Sequence, residues 1–309
     1  ALERGYHGSS AISAGLTGLA AFHDGFGVPG PEQHHIPSPY PYRHPDGPDD
    51  EAITQSCLAA LEAKVAEIGA DRAAAFIMEP VQGGGGVIVP PRGFVRRMRE
   101  RCRELGLLFI ADEVVTGFGR TGPLFACEEE GVAPDFMTLA KGLTSGYVPM
   151  GAVLMSESVY RALADALPEG APLGHGLTYS GHPVSAAVAL EVLAIYREGM
   201  LDTARATGAH LQARLRALTD HPLVGDVRGR GMIGAVELVS DKASKTPLDP
   251  ALGAAGTLTE IGLRNGVIFR AFADGAIGIA PPLCMTIAEA DLLLDGLHRT
   301  IDEFAGTLA

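Results

Sequence analysis

Two short apolar segments, each followed by a charged residue, constrain the fold of this chain more than any other feature. The first, LLFIA at residues 107–111, precedes Asp112, and the second, DFMTLA at residues 135–140, precedes Lys141. Such runs are typical of strands buried on both faces of a parallel sheet, with chemistry at their carboxyl ends. The interval between Asp112 and Lys141 is long enough for one return to a neighbouring strand. The pattern therefore predicts an α/β fold in which both side chains lie side by side at one sheet edge.

An aspartate and a lysine placed in this way suit pyridoxal phosphate. This cofactor needs an amine that holds its aldehyde as a Schiff base and a carboxylate that keeps its ring nitrogen protonated. When a substrate takes over the imine, the released lysine becomes the base that moves the proton. Taken singly, Asp112 is more often a cap at a strand end and Lys141 more often a surface lysine, because charged side chains are mostly exposed.

Three other patterns suggest phosphate or nucleotide binding, and each has a simpler interpretation. Asp112-Glu113 after a strand resembles the magnesium-binding strand of a P-loop ATPase, but the sequence contains no Gly-Lys-Ser/Thr, which excludes that class. The glycines at 83–86 precede VIVPP and not a helix, which predicts a turn that passes close to a ligand or a neighbouring backbone. Residues 229–234 match G-x-G-x-x-G, but AVEL continues as a strand, which favours a strand-to-strand turn.

The rest of the chain predicts two domains. A helical pattern at 51–68 leads to the strand AAAFIM at 73–78, which ends at Glu79, a third candidate for the same sheet edge. A helix at 92–105, the strand GAVLM at 151–155 and a helix at 183–196 continue the α/β pattern. We expect a large α/β domain at residues 1–199 and a small α+β domain at residues 200–309.

Composition and charge exclude several classes of protein. Of the 309 residues, 47% are hydrophobic and 20% charged, as in a globular protein with a large core. The net charge of −13 argues against nucleic acid or an anionic membrane as a partner, and no apolar run is long enough to span a membrane. The four cysteines stand far apart without a C-x-x-C pair, which favours reduced thiols in a cytoplasmic protein.

The segment at residues 25–50 is rich in proline and predicts a surface loop. It also carries His34, His35 and His44. Without cysteines or a cluster of acidic residues nearby in the sequence, these histidines predict a solvated loop and no metal site.

Six sequence blocks, in this order and spacing, resemble class III aminotransferases, which are fold type I pyridoxal-phosphate enzymes. The blocks are EPVQGGGGVIVPP, LLFIADEVVTGFGRTG, TLAKGLTSGYVPMGAV, HGLTYSGHP, VRGRGMIGAVEL and IAPPL. The resemblance covers nearly the whole chain. It implies a PLP-transferase large domain, with a mostly parallel sheet and flanking helices, and a small α+β C-terminal domain.

The resemblance also implies a role for each residue of the predicted site. Lys141 would be the Schiff-base lysine, and Asp112 the partner of the ring nitrogen. The other cofactor-binding residues would be Val114 and Tyr6 against the two ring faces, His7 beside Tyr6, Gln82 near the ring hydroxyl, Glu79 near the reacting centre, and Thr178, which would reach the phosphate of the partner subunit. A homodimer with shared active sites is therefore implied.

The resemblance further favours one group of substrates. In the ornithine type a Glu follows EP-x-QG and pairs with an Arg just before APPL, whereas this chain has Gly84 and Gly278 there. A lone member of such a pair would leave a buried charge unpaired, so the loss of both argues against that arrangement. Arg270 instead resembles the mobile arginine of the pyruvate-coupled omega-transaminases, which binds the substrate carboxylate in that group. The predicted reaction is ping-pong transfer of an amino group from a primary amine or omega-amino acid to pyruvate.

One departure from the family pattern keeps two alternatives open. In this family roughly the first third of the chain precedes the Y-H-G block and includes a Gly-Ser loop that holds the cofactor phosphate at a helix N-terminus. Its absence here predicts a fragment. The first alternative is a truncated, catalytically silent chain that keeps the fold and the dimer surface. The second is another chemistry of the same cofactor, as in decarboxylases, aminomutases and lyases.

Overall fold

The structure is a computed structural model that describes residues 1–45, 47–168 and 170–308. The chain packs into two compact units. The first comprises Ala1–Pro80, Pro90–Phe118 and Phe125–Glu198, and the second Val81–Val89, Gly119–Leu124 and Gly199–Ala309. Two segments within the predicted large domain therefore pack with the second unit.

The first unit alternates helices and strands, as the hydrophobic pattern predicts. In chain order its elements are α1 (Ala11–Leu16), α2 (Asp50–Ile68), β1 (Ala75–Met78), α3 (Phe94–Glu104), β2 (Leu108–Asp112), β3 (Phe136–Leu139), β4 (Ala152–Met155), α4 (Glu157–Ala166) and α5 (Pro183–Ile195). Short 3-10 helices lie at Ala20–Phe22, Ala126–Glu130 and Lys141–Leu143, and a π-helical turn at Tyr196–Met200 follows α5.

Within the described residues of this unit, the strands form one sheet in the order β1-β2-β3-β4. β1 runs parallel to β2, with Met78 opposite Ala111, and β2 runs parallel to β3, with Asp112 opposite Thr138. β4 runs antiparallel to β3. Parallel strands end at the same edge of a sheet, so the residues that follow β1, β2 and β3 share one edge. The predicted fold, and the predicted neighbourhood of the Asp112 and Lys141 strands, are confirmed.

The core of this unit lies where α2 and α3 pack with β1 and β2. Its largest fully buried side chains include Phe94, Met98 and Phe109. The first residue before α3, Gly93, has no side chain to cap the helix, and the Glu130 carboxylate takes that role. It accepts the backbone N–H groups of Gly93 and Arg96, each at 2.9 Å. Such bonds satisfy donors that an uncapped helix leaves without partners.

The second unit is an α+β structure. Its elements are α6 (Leu201–Ala217), β5 (Val224–Arg230), β6 (Ile233–Asp241), β7 (Thr246–Pro247), α7 (Ala254–Arg264), β8 (Arg270–Ala271), β9 (Ala276–Ile279) and α8 (Ile287–Gly306). The strands pair antiparallel in the order β5-β6-β9-β8, and β7 pairs with β6. Leu211, Leu258, Leu297 and other fully buried side chains from α6, α7 and α8 form a core with this sheet.

Both glycine-rich patterns of the second unit are turns, as predicted. β5 ends at Arg230 and β6 begins at Ile233, so the G-x-G-x-x-G match spans a strand-to-strand turn in which Gly231 has a φ of +57°. Such a left-handed φ is easy for glycine and strained for other residues. The glycines at 83–86 form a turn between the bridged residues Gln82 and Ile88.

β4 departs from the expected pattern of a buried strand. Val153 is 59% exposed and Leu154 is 49% exposed, although successive side chains of a strand point to opposite faces. Both faces of this strand therefore lack cover in the first unit. Within the described ranges, none of the helices combines the length and the apolarity that a membrane crossing requires.

Candidate active site

Three charged residues lie at the ends of the parallel strands in the first unit. Glu79 follows β1, Asp112 is the last residue of β2, and Lys141 comes two residues after the end of β3. Glu79 is 3% exposed and Asp112 is 5% exposed, whereas Lys141 is an exposed residue. One sheet edge therefore carries two buried carboxyl groups and an exposed lysine residue.

The Asp112 carboxylate is held on both of its oxygens. Oδ2 lies 2.8 Å from Nδ1 of His7, and Oδ1 accepts the backbone N–H of Val114 at 3.1 Å. Because an ionised carboxylate only accepts hydrogen bonds, the contact with His7 requires a proton on Nδ1. The His7 side chain is 1% exposed, and its Nε2 is buried without a hydrogen-bond partner among the described residues. The Asp112 carboxylate is thus held in place by the buried His7 imidazole and by the Val114 N–H.

Glu79 connects the N-terminal turn to the same edge. One oxygen of its carboxylate, Oε1, accepts the backbone N–H of Tyr6 at 2.9 Å. The Tyr6 ring is half-buried and meets Phe22 edge-on, with the ring centroids 5.1 Å apart. Tyr6 and His7 are therefore held at the sheet edge by hydrogen bonds to Glu79 and Asp112.

Lys141 opens the 3-10 helix Lys141–Leu143 with a φ of +39°, in the left-handed region. A residue other than glycine is uncommon there, and the conformation is strained. The residue that follows, Gly142, packs closely against Phe118, because a Cβ added to it would lie 2.8 Å from the Phe118 Cβ. The strand end and this packing together fix the backbone from which the amine projects.

The remaining predicted residues belong to other elements of the chain. Thr178 is exposed, in a turn at residues 178–181. Gln82 belongs to the second unit, where it is 1% exposed and exchanges backbone hydrogen bonds with Ile88. Arg270 also belongs to the second unit, as the first residue of β8, and its guanidinium lies 5.1 Å from the centroid of the Phe272 ring.

Glu113 has a structural role that the sequence pattern does not predict. It is fully buried, and its carboxylate accepts the Thr116 hydroxyl and the backbone N–H groups of Ala126 and Cys127, the latter two at 3.1 and 2.8 Å. All three partners are donors, so this side chain ties the end of β2 to the start of the 3-10 helix Ala126–Glu130. Its position directly after Asp112 was the only sequence signal for this role.

The residues at the sheet edge fit pyridoxal phosphate by the chemistry of their side chains. A buried carboxylate that accepts hydrogen bonds suits a protonated ring nitrogen, and a lysine just after the next strand suits an aldehyde. An α/β unit with this pair at the carboxyl ends of its strands has the arrangement of a fold type I PLP-transferase. The comparisons with known proteins bear on the family and the fold.

The family model for class-III aminotransferases matches residues 1–301. This match covers nearly all of the chain. The chain therefore belongs to the class III aminotransferase family.

Similar proteins include transaminases with different acceptors. The diaminobutyrate–2-oxoglutarate transaminase of Halomonas elongata is 42% identical over 311 residues, which cover 99% of this chain and 66% of that protein. The putrescine–pyruvate aminotransferase of Pseudomonas aeruginosa is 42% identical over 306 residues, which cover 98% of this chain and 66% of that protein. The chain thus spans just under two thirds of the length of each of these relatives.

Solved transaminase structures share the fold. A thermostable (S)-enantioselective omega-transaminase from Thermomicrobium roseum matches with a TM-score of 0.93 and 42% identity, over 98% of this chain and 67% of that one. A structure from work on transaminases made by ancestral reconstruction matches with a TM-score of 0.97 and 41% identity, over 100% of this chain and 68% of that one. These likenesses identify the fold as that of fold type I PLP-dependent transaminases.

Proposed function

We propose that this chain carries the pyridoxal-phosphate site of an aminotransferase that transfers an amino group from a primary amine or omega-amino acid to pyruvate in a ping-pong cycle. The observation that carries the proposal is the pairing of β2 and β3, with Asp112 opposite Thr138 and Lys141 three residues further on. Family membership supports the class of reaction. The activity and substrates of the whole protein are part of the proposal, because the chain spans only 66% of the length of these two relatives.

Each side chain at the sheet edge has a role in this proposal. When bound, the cofactor supplies an aldehyde and an electron-accepting ring. The Lys141 amine would hold that aldehyde covalently and, once released by substrate, would move the proton at the substrate carbon. Asp112 would hold the proton on the ring nitrogen, and the buried His7 contact and the Val114 N–H would keep its carboxylate in place.

The other predicted contacts complete the proposed site. Tyr6 and Val114 would pack against the two ring faces, Gln82 would lie near the ring hydroxyl, and Glu79 near the reacting centre. Thr178 would bind the cofactor phosphate of a second subunit. The exposed position of Thr178 supports a role at the surface between two subunits.

The second unit supports pyruvate as the amino acceptor. Arg270 of β8 stands directly opposite Gly278 of β9 in the antiparallel register. An arginine at either position would project from the same ladder, and this chain carries it only on β8. The guanidinium suits a substrate carboxylate. When the substrate is apolar, the guanidinium would instead keep its cation–π contact with the Phe272 ring. The similarity to a putrescine–pyruvate aminotransferase supports the same acceptor.

A homodimer with shared active sites belongs to the same proposal. Of the 21 large hydrophobic residues that are exposed among the described residues, 12 lie between residues 147 and 195. They are Tyr147, Val153, Leu154, Met155, Tyr160, Leu163, Leu173, Leu177, Tyr179, Val184, Leu190 and Ile195. Exposed apolar side chains often mark surfaces that pack against another part of a protein or another subunit, so their number in this stretch of sequence supports a buried interface. The free cysteines support a cytoplasmic location.

The first experiment locates the covalent attachment. The sequence contains four lysines, at 64, 141, 242 and 245, so three of them are internal controls. Borohydride reduction of the purified chain with pyridoxal phosphate, followed by peptide mass spectrometry, should place the adduct on Lys141. Lys141→Ala should remove the adduct, whereas Lys64→Ala should retain it. No adduct, or label spread over the surface lysines, contradicts the proposed site.

The second experiment tests the reaction and the acceptor. With a primary amine as donor, pyruvate should be converted to alanine, and 2-oxoglutarate should give little glutamate. Turnover with 2-oxoglutarate alone would contradict the proposed acceptor. An adduct at Lys141 without transfer to either acid would favour a catalytically silent chain. Loss of carbon dioxide or ammonia from the donor would indicate a decarboxylase or a lyase.

A further inference from the structure

The backbone at Lys141 is strained and needs external support. Its φ of +39° lies in the left-handed region, where residues other than glycine persist only if their surroundings hold them. The turn itself contributes three backbone bonds: the Leu143 N–H donates to the Ala140 carbonyl at 2.9 Å, and the Thr144 and Ser145 N–H groups donate to the Lys141 and Gly142 carbonyls, each at 3.3 Å. These bonds close the 3-10 turn but also suit a relaxed one, so they do not explain the strain at Lys141.

Tyr196 supplies a contact from a distant part of the chain. Its hydroxyl donates to the carbonyl oxygen of Gly142 at 2.7 Å, across 54 residues of sequence. Tyr196 is 6% exposed, and it begins the π-helical turn Tyr196–Met200 that follows α5. Turns of this kind are frequent at functional sites.

The Tyr196 ring is itself held by Phe118. The two rings stack with their centroids 6.0 Å apart and an angle of 27° between their planes. Phe118 is 2% exposed and is the residue against which Gly142 packs. Gly142 thus lies against the Phe118 side chain and accepts the Tyr196 hydroxyl, directly after the residue whose backbone is strained.

We propose that Tyr196 is a positioning residue for Lys141. Its hydrogen bond to the Gly142 carbonyl stabilises the left-handed backbone at Lys141. The Lys141 amine is therefore already in the orientation that reacts with the cofactor before the cofactor binds. The inference rests on the proposed function, because only a lysine that attaches a cofactor needs such aim. Without the hydroxyl, the turn can relax to a right-handed φ, and the amine then spends less time in the reactive direction.

The decisive variant is Tyr196→Phe, which removes the hydroxyl and keeps the stacked ring. The matched control is Thr207→Val, which removes a buried hydroxyl that donates to the Met285 carbonyl at 3.0 Å in the second unit. Each change removes one hydroxyl donor from a partly buried backbone carbonyl, and the Gly142 carbonyl keeps the Ser145 N–H at 3.3 Å. A purely structural role for Tyr196 therefore predicts similar losses of thermal stability and the same labelling of Lys141 in the two variants.

Two measurements separate positioning from stability. The first is the rate at which pyridoxal phosphate and borohydride label Lys141, relative to Lys64 in the same sample. We expect Tyr196→Phe to slow Lys141 labelling by about tenfold, which corresponds to about 1.4 kcal/mol, and Thr207→Val to leave it unchanged. The second is amide hydrogen exchange at residues 142–145 without cofactor, which should be faster in Tyr196→Phe alone.

Each outcome decides the inference. Labelling and exchange like those of the wild type in Tyr196→Phe would overturn it. If wild-type Lys141 takes no label, the proposed function fails, and unchanged exchange at 142–145 would then remove the positioning role as well. Should Tyr196→Phe not fold, Phe118→Leu keeps the hydroxyl and removes the stacked ring. It should slow labelling and speed exchange in the same directions, and wild-type behaviour there would overturn the inference.

Discussion

The buried carboxylate of Glu113 gives the sharpest test of how this sheet edge is built. Its three hydrogen bonds join residues at positions 113, 116, 126 and 127, so they close the base of the segment that leaves β2 after Asp112. Glu113→Gln keeps the size of the side chain and replaces one oxygen with an NH₂ group. In either orientation of the amide, the NH₂ group faces a hydrogen-bond donor, so that donor loses its acceptor.

The expected loss of stability follows from these contacts. A hydrogen bond to a charged group contributes about 1.5–3 kcal/mol, and a buried donor left without a partner costs about 1–3 kcal/mol. If the new NH₂ group faces Cys127, one charged bond is lost, and the two bonds to the other oxygen become neutral and weaker. We therefore expect Glu113→Gln to lower the free energy of unfolding of the first unit by about 3 kcal/mol.

Glu130→Gln is the matched control, because Glu130 also accepts two backbone N–H groups in the same unit but is only half-buried. Solvent can satisfy the groups that this change releases, so we expect a loss of about 1 kcal/mol or less. Urea unfolding followed by far-ultraviolet circular dichroism measures both variants, since the sequence contains no tryptophan. If Glu113→Gln costs no more than Glu130→Gln, the buried carboxylate does not hold this segment.

Two further predictions concern thiols and a buried ion pair. Burial raises the pKa of Cys57 and Cys102 to about 12, so a thiol reagent at mildly alkaline pH should label the exposed Cys284 quickly and the three buried cysteines only after unfolding. Equal rates for all four in the native chain would contradict this. Arg228→Met leaves the 2%-exposed Glu237 without a guanidinium that lies 2.7 Å away, and should cost about 3–5 kcal/mol. Adding Glu237→Gln to Arg228→Met should recover part of that loss in urea unfolding. If the loss in the double variant equals the sum of the losses in the two single variants, Arg228 and Glu237 do not stabilise each other.

The sequence was informative where local pattern decides the structure. Short apolar runs located β1, β2 and β3, and the charged residue after each run identified Glu79, Asp112 and Lys141 as neighbours on one edge. The turn at 229–234 was also predictable, because a strand and not a helix follows the glycines. In these cases the periodicity of side chains and the rule that parallel strands end together suffice.

Contacts across long stretches of chain could not be predicted in the same way. The Cys127 N–H that Glu113 accepts lies 14 residues away in sequence, and the Tyr196 hydroxyl meets a carbonyl 54 residues away. No periodicity fixes which side chain returns to which backbone group, because the return path depends on packing. The exposed faces of β4 are similar, since its apolar sequence predicts burial but not the partner that would cover it.

The register of β8 and β9 changes how the two arginine positions should be compared. Sequence comparison treats Arg270 and the glycine at 278 as separate features, but the antiparallel pairing puts them directly opposite each other. Two arginines in such a pair would repel, because like charges opposite each other across a ladder are destabilising. A Cβ at 278 would also lie 2.9 Å from the Phe272 ring, over which the Arg270 guanidinium rests. In this chain the pair therefore accommodates one arginine, on β8, and under the proposed function that strand is where a substrate carboxylate would be met.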